Sequence, residues 1–500
     1  MIFALVAASA TAALTLGLLA VFALLLLRLR VSLGLRGGGT RTVAFLHPFC
    51  NDGGGGERVL WVAIRDLLRE SSGGTSSPWR VVVYTGDAAS DDEIRAHAAS
   101  RFGVHVPADV EFVRLKLRGW IEPKRYPVAT LIGQALGSLV LAAEAVARCP
   151  PHTLVDTTGL HFCLPLLRLF GVPKLACYVH YPIISSDMIG AVQQRKAAHN
   201  NARVFARSAA GAQLKLAYYR LLVWVYAKAG RVSHATMANG SWTAGHIRAL
   251  WAVAPALVFP PCDTAALQAL PMEPPGGPAH SRAARRLVLS VAQFRPEKDH
   301  AKQIRSFATV LRTWQAMPAE TRGARPTLVV AGAVRHADDE RRLAELKTLA
   351  ESLLGGGASG AGAAGAPADQ TANVTGAIRF APNLSLPELR ELFGSAAVGL
   401  HTMWNEHFGI GVVEMCAAGI AVIAHNSGGP ALDIIRDGST GRLADTDDEY
   451  AEAMESLLLG PKAEARRAAM AAAGRSAVAT RFSEQAFEGA WRKALAPALA

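Results

Sequence analysis

Little in this sequence marks a secreted, disulfide-stapled chain. Its six cysteines, Cys50, Cys149, Cys163, Cys177, Cys262 and Cys416, are scattered through apolar surroundings, and no two form a Cys-x-x-Cys pair. That excludes a zinc ribbon or a dithiol redox motif and reads as buried free thiols in a reducing compartment. The Asn-x-Ser/Thr triplets at Asn239, Asn373 and Asn383 then stay unused, because they serve as glycan acceptors only inside a secretory lumen. Charge is sparse too: 18% of residues are charged against 51% apolar, which excludes a disordered chain and does not suggest a polytopic transporter. Acid is the scarcer sign, 40 Asp and Glu against 52 Lys and Arg, so polyanionic ligands or an anionic membrane surface are favoured. Nucleic acid is the competing partner, but the basic residues are spread out, with no zinc-finger spacing and no aromatic-basic RNA signature, so none is expected.

A charge is also missing from Ile2 to Leu27, an almost unbroken run of Ala, Leu, Val and Phe. The run exceeds the roughly 20 residues a helix needs to span a bilayer. It lacks the positive amino-terminal region of a signal peptide, and Arg28, Arg30, Arg36 and Arg41 come directly after it, so it reads as an uncleaved anchor over residues 1–30. The positive-inside tendency places the remainder of the chain in the cytosol. Two later apolar stretches, Val128 to Ala147 and Leu221 to Ala229, carry or adjoin Gln134, Glu144 and Lys228 and read as buried or interfacial helices.

Beyond the anchor, short β-branched runs alternate with longer helical stretches, the pattern of a parallel sheet covered by helices. Expected strands are Thr42–Leu46, Arg80–Tyr84, Leu154–Asp156 and Leu175–Val179, then Leu287–Val291, Thr327–Ala331, Ile378–Ala381, Val398–Leu400 and Ala421–Ala424. They make two Rossmann-like domains, 41–270 and 285–480, joined through the proline-rich Pro260–Arg286 segment, with residues 481–500 as a helix returning to the first. Gly355–Ala366 contains only Gly, Ala and Ser and reads as a surface loop.

Three segments carry chemistry. His47-Pro48-Phe49-Cys50-Asn51-Asp52-Gly53-Gly54-Gly55-Gly56-Glu57-Arg58 leaves the first strand and enters a helix; its glycines permit close backbone approach to phosphate or sugar. It is neither the G-x-G-x-x-G fingerprint nor a P-loop, which weakens nicotinamide and ATPase readings. Ser290 to His300 contains Arg295 and Lys298 at the carboxyl end of a strand, where open α/β sheets bind ligands and a cation can stabilise a departing diphosphate. Asn405-Glu406-His407-Phe408-Gly409-Ile410-Gly411-Val412-Val413-Glu414 sets two glutamates eight positions apart. Were the stretch helical throughout, they would lie about 12 Å apart along the axis, the scale of a nucleotide-sugar. The helix start at Gly409, Ile410 and Gly411 would offer N–H groups to the diphosphate. Two other groups compete. Asp445-Thr446-Asp447 has the form of a metal-binding Asp-x-Asp but reads as a loop or helix cap, and Gly428-Gly429-Pro430 reads as a turn at a strand end facing the expected cleft.

In this order the segments resemble glycosyltransferase family 4, retaining enzymes with an E-x7-E motif and a Glu-Lys element after the first strand of the second domain. The similarity is nearest to the α-1,2-mannosyltransferases of the dolichol pathway. His47 to Trp61, Tyr178-Val179-His180-Tyr181-Pro182, Gln293 to His300, Trp404 to Glu414 and the anchor carry it. The resemblance implies an α/β chain of the GT-B class, two Rossmann-like domains facing a cleft, with an N-terminal transmembrane helix. It also implies Glu406 on the donor sugar, Glu414 on the ribose, Arg295 and Lys298 on the diphosphate, His180 near the reacting centre, and Gly54 and Gly55 lining the donor site. One departure stands out: many members carry Arg where this chain has Gln293, so Lys298 bears more of the assignment than Arg295. The implied reaction moves mannose from GDP-mannose, without a metal or other cofactor, to dolichyl-diphosphate-linked Man3GlcNAc2, adding two α-1,2-mannoses on the cytosolic side of the endoplasmic reticulum. Other mannosyltransferases of the pathway are candidate partners. Rival readings are a family member with another donor or linkage, a non-catalytic membrane scaffold of the same fold, and a nucleotide-sugar epimerase, for which the anchor has no use.

Overall fold

The computed structural model describes residues 23–33, 35, 41–72, 79–183, 209–272, 281–354, 373–374 and 376–500. The proposed anchor lies outside them except for residues 23–30, which are helical, and the Gly355–Ala366 stretch lies outside them entirely. Contacts divide the chain into two units: residues 1–239, 243–258 and 488–500, and residues 240–242 and 259–487.

The first unit is built on a seven-stranded parallel sheet of β1 (Thr42–Leu46), β2 (Arg80–Thr85), β3 (Glu111–Arg114), β4 (Thr153–Asp156), β5 (Lys174–Val179), β6 (Ala235–Ala238) and β7 (Ala256–Leu257), in the order β3-β2-β1-β4-β5-β6-β7. The second repeats the pattern with β8 (Leu287–Val291), β9 (Thr327–Gly332), β10 (Asn373–Val374), β11 (Ile378–Pro382), β12 (Val398–His401), β13 (Ala421–His425) and β14 (Arg442–Ala444), ordered β10-β11-β9-β8-β12-β13-β14. Only the pairing of β10 with β11 is antiparallel. Strands such as TVAFL and AVIAH are buried along their whole length, as parallel strands covered on both faces must be. Among the parallel strands of each sheet the order reverses at one place, between β1 and β4 and between β8 and β12, and ligands of such sheets bind beyond the carboxyl ends of the strands there.

All nine expected strands are present, each within a residue of its expected ends. Those not anticipated lack the signal that reveals strands. The edge strand β3 reads EFVR, β6 reads ATMA, and β7 and β10 have two residues each. The apolar Val128–Ala147 stretch is the helix Thr130–Arg148, which turns Leu141, Ala142, Ala145 and Val146 into the core. The last helix, Glu484–Leu499, is held in the first unit from Glu488 onward. Arg492 grips the buried Asp66 carboxylate at 2.5–3.0 Å, Arg65 reaches Glu488 at 3.0 Å, and Trp491 stacks on Phe45.

Candidate functional site

In the second unit the chemistry gathers at the carboxyl ends of β8, β12 and β13. After β8 the chain turns through Pro296–Lys298 to Asp299, whose left-handed backbone (φ 45°) starts the helix His300–Ala316. The hydroxyl of Thr402 lies 2.8 and 3.1 Å from the carbonyls of Lys298 and Asp299, and Gln303 Nε2 donates to that hydroxyl at 2.9 Å. This brace aims Lys298 at Glu406, with Nζ 2.5 Å from Oε2 and 3.1 Å from the sulfur of Met403. His401 Nε2 lies 3.1 Å from the same oxygen. Beside a carboxylate that nitrogen carries the proton and donates. Both contacts fall on Oε2. Burial would raise the Glu406 carboxyl, but the His401 hydrogen bond and the Lys298 charge outweigh it and hold it well below the usual carboxylate range.

Two glycines hold that arrangement from behind. Gly428 has φ +61°, and a Cβ there would stand 2.2 Å from the carbonyl oxygen of Glu406; one at Gly429 would stand 2.4 Å from that of Phe408. The backbone N–H of Gly429 donates to Glu406 at 2.7 Å, and Asn405 N–H donates to Ser427 Oγ at 2.8 Å. The Gly428-Gly429 turn is therefore the support on which the Glu406 loop rests.

Glu406 and Glu414 do not share one helix. The helix runs Ile410–Ala417, with Gly409 (φ +101°) as its cap, and Glu406 lies in the turn before it. The 12 Å spacing inferred for a continuous helix therefore does not apply. What survives is the helix start: its cap residue Gly409 makes no side-chain cap hydrogen bond, and Ile410 and Gly411 carry the first N–H groups. Glu414 is half-buried on the helix itself. Arg295 is not drawn into the cluster; its side chain is 40% exposed and pairs with Glu297 at 3.5 Å.

Asp445-Thr446-Asp447 is a helix cap. Thr446 caps Asp447–Leu458 in a capping box with Glu449, and Asp447 pairs with Arg305 at 2.5 Å. Among the described residues no group of three or more His, Cys, Asp or Glu side chains is placed to hold a metal ion.

The first unit gathers a second cluster beyond β1, β4 and β5. His47 Nδ1 lies 2.8 Å from Thr157 Oγ1, and His180 Nε2 lies 3.1 Å from the carbonyl of the same threonine. Asp156 shapes this turn by accepting from Thr158 and Gly159 N–H at 3.0 and 3.2 Å and pairing with the buried His161 at 2.6 Å. Burial and the neighbouring His180 push His47 down to about 3, so it is neutral. The glycine-rich loop closes on itself: Gly53 and Gly54 N–H donate to Glu57 at 3.0 and 2.9 Å. The Gly54 N–H expected to face the donor is thus taken by a carboxylate of its own loop. Gly55 begins the helix Gly55–Ser72, and a Cβ on Gly56 would meet the His180 ring at 3.3 Å. Burial pushes Glu57 up to about 7 despite those two N–H groups.

All six cysteines are free and buried, and burial pushes Cys50, Cys177 and Cys416 up to about 12, so these thiols are inert.

Known proteins share both the sequence and the fold. Residues 40–251 match the family described as ALG11 mannosyltransferase N-terminus, and residues 368–476 match glycosyl transferases group 1. A protein of Xenopus laevis named GDP-Man:Man(3)GlcNAc(2)-PP-Dol alpha-1,2-mannosyltransferase is 40% identical over 92% of this chain and 88% of its own length. The chain belongs to the ALG11 mannosyltransferase family. The human protein of the same name is also 40% identical, covering 92% of this chain and 87% of its own, and that of Caenorhabditis elegans is 35% identical over 91% and 90%. Among solved structures, a Burkholderia multivorans α,α-trehalose-6-phosphate synthase has TM-score 0.61 at 15% identity, covering 92% of this chain and 98% of its own. Anabaena Alr3699/HepE with UDP and glucose has TM-score 0.57 at 13% identity over 91% and 99%. The fold is GT-B, and this family member is a glycosyltransferase.

Sequence reasoning missed His401, Thr402 and Gln303, and read Gly428 and Gly429 as a turn at a strand end facing the expected cleft without assigning it a supporting role. The histidine sits on the last position of an apolar strand, where nothing in the spacing sets it apart. Gly428-Gly429 carried a usable signal, two adjacent glycines at a strand end beside the expected site.

Proposed function

We propose that this chain transfers mannose from GDP-mannose to dolichyl-diphosphate-linked Man3GlcNAc2, adding two α-1,2-linked residues with retention of configuration. It works from the cytosolic face of the endoplasmic reticulum membrane, in protein N-glycosylation, beside the pathway's other mannosyltransferases. The observation that carries the reading is the part-buried Lys298–Glu406–His401 cluster beside a helix start whose cap residue makes no side-chain hydrogen bond. The homologues' shared name supplies the donor and acceptor.

Glu406 Oε1 accepts from hydroxyls of the donor sugar while Oε2 stays fixed by its two partners. Lys298, with the N–H groups of Ile410 and Gly411, receives the negative charge that builds on the diphosphate as the sugar's C1–O bond breaks. Glu414 grips the ribose, and Arg295 lends a second, more solvated cation. The acceptor 2-hydroxyl forms the new bond to C1 from the face the nucleotide leaves, and its proton passes to the departing phosphate oxygen, so no protein nucleophile is used. In the first unit the reading assigns a role near the reaction to His180, held by the Thr157 carbonyl, and donor contact to the glycine loop at Gly54 and Gly55. No metal is required, since fixed N–H groups and Lys298 supply the positive charge, and the Asp445 and Asp447 segment is spent on helix capping.

The test is to incubate the membrane-embedded protein with radiolabelled GDP-mannose and a lipid-diphosphate oligosaccharide bearing three mannoses, then size the released glycans before and after α-1,2-mannosidase. Two added, mannosidase-sensitive residues are expected; addition only from another nucleotide-sugar, or only to a shorter acceptor, would overturn donor and substrate.

A further inference from the structure

The turn that carries Glu406 also carries a large side chain to which the proposed reaction gives no task. Trp404 stands two positions before Glu406 and is 61% exposed. Its indole has no hydrogen-bond, ring or cation partner among the described residues. The residues on either side of it are fixed. Met403 is partly buried, with its sulfur 3.1 Å from Lys298 Nζ. Asn405 has a left-handed backbone (φ 51°) and donates its N–H to Ser427 Oγ at 2.8 Å, and Gly429 N–H holds the Glu406 carbonyl at 2.7 Å. The indole is therefore displayed to solvent from a braced base.

One exposed apolar residue on a surface needs no explanation, but its position here is not scattered. The large hydrophobic side chains exposed in the described part of the second unit are Leu386, Trp404 and Leu432, and two of these three belong to the Glu406 loop and its support. Leu432 lies in the turn Pro430–Ile434 that continues the Gly428-Gly429 support, and it is 60% exposed. Trp404 is the aromatic one. An indole offers a broad flat area fixed by two torsions, so holding a ligand against it costs little conformational entropy. Its face is the negative side of the ring quadrupole, which disfavours phosphate and favours polarised C–H groups. A pyranose ring fits that face: its hydroxyls point outward, and its C–H bonds carry slight positive charge drawn by the neighbouring oxygens. A nucleobase also stacks on indole. On the proposed reading, however, the donor runs from its sugar at Glu406 towards its ribose at Glu414, so in chain order the base lies at the end away from Trp404. The donor sugar is already gripped by its hydroxyls. The ring left to meet the indole is one belonging to the acceptor.

We propose that Trp404 is a stacking platform for a mannose ring of the acceptor glycan, a binding residue that helps to fix which hydroxyl is presented to the donor. The proposal rests on the mannosyltransferase reading and deepens it, by giving the acceptor a named contact on the same loop that carries Glu406.

The experiment compares the full-length wild type, Trp404→Ala and Trp404→Phe in detergent, with radiolabelled GDP-mannose and a lipid-diphosphate oligosaccharide bearing three mannoses. Because the indole is exposed, thermal melting should be unchanged in both variants. Trp404→Ala should raise KM for the acceptor about tenfold, roughly the worth of one ring stacked on another. With the contact equally strong before and during the reaction, kcat should hold and KM for GDP-mannose should stay within about twofold. Trp404→Phe keeps an aromatic face and should recover most of the acceptor affinity. A merely structural role would move both KM values and the melting together. In parallel, lipid-free Man3GlcNAc2 is titrated against tryptophan fluorescence, and a change is expected in the wild type that Trp404→Phe lacks. An unchanged acceptor KM in Trp404→Ala overturns the platform, as does a rise confined to GDP-mannose, which would put the indole on the donor. Should the wild type transfer mannose to no acceptor, the mannosyltransferase reading falls instead, and the fluorescence difference still decides whether Trp404 binds the glycan.

Discussion

The two units share a strand order and differ in where they put their polar and apolar groups. Of 17 large hydrophobic side chains exposed among the described residues, 14 belong to the first unit; Leu386, Trp404 and Leu432 belong to the second. The second buries a charged cluster at its strand ends, and both its oppositely charged members are less than a quarter exposed. The first keeps at its strand ends a histidine pair around one threonine and a glycine loop sealed by its own glutamate. One sheet plan therefore serves two tasks. The second unit places fixed charge at its strand ends, and the first exposes more of its large apolar side chains.

If that contrast is right, the largest effect comes from dismantling the charged cluster. Glu406→Ala and Lys298→Ala should each lower transfer by at least about a thousandfold, the scale of losing a group that stabilises developing charge. Each also leaves a part-buried charge without its ion-pair partner, at a cost below the about 3–5 kcal/mol of a fully buried pair, so thermal melting of purified variants should fall while membrane attachment persists. Normal transfer by either variant would remove the site assignment.

A smaller effect sharpens the picture by touching only the supports. Gly428→Ala puts a methyl 2.2 Å from the Glu406 carbonyl and must move that loop. His401→Phe keeps the packing and removes one donor from Oε2. Losses of about 10 to 100-fold are expected, the range seen when a partner that orients a binding group is removed. Donor affinity should weaken in Gly428→Ala, and in His401→Phe the pH profile of transfer should change with it. A His401→Phe enzyme with wild-type kinetics would show that Lys298 alone suffices to orient Glu406.

The smallest effect is in pH dependence, where the units should diverge. In the second, His300 is held down to about 3 by burial and Glu406 lies below its usual range. Folded pKa values below the unfolded ones mean stability that is lost as pH falls, for His300 from about 6.5 towards 3 and for Glu406 below about 4.5, at about 1.4 kcal/mol per pH unit for each proton. In the first unit His47 behaves like His300, but Glu57, raised to about 7, has the opposite sign. Its contribution is present below about 4.5 and is lost as pH rises through 7. Hydrogen exchange of peptides from each unit between pH 5 and 8 should show the second loosening towards acid and the Gly53–Glu57 loop loosening towards pH 8. A Glu57→Gln variant should abolish the loop's pH response; a response that persists would show that another group drives it.

Sequence alone determined the elements whose signal is local. Alternating β-branched runs gave away nine strands because a parallel strand buried on both faces must be continuously apolar. Lys298 and Glu406 stood out because charged residues at the ends of such strands have few structural reasons to be there. The anchor is an expectation read in the same way, from a long run without charge that lies mostly outside the described residues. Only the tertiary structure decided how those residues meet. His401 is 5 residues from Glu406 and Lys298 is 108 residues away, yet both reach one carboxylate oxygen, because β12 lies beside β8 in the sheet. The turn before Ile410, the Gly428-Gly429 support and the Glu57 latch depend on backbone paths that side-chain pattern does not encode. Which apolar residues of Ala209–Gly230 face outward was equally hidden, because a helix apolar on every side shows its outer face only once its neighbours are in place.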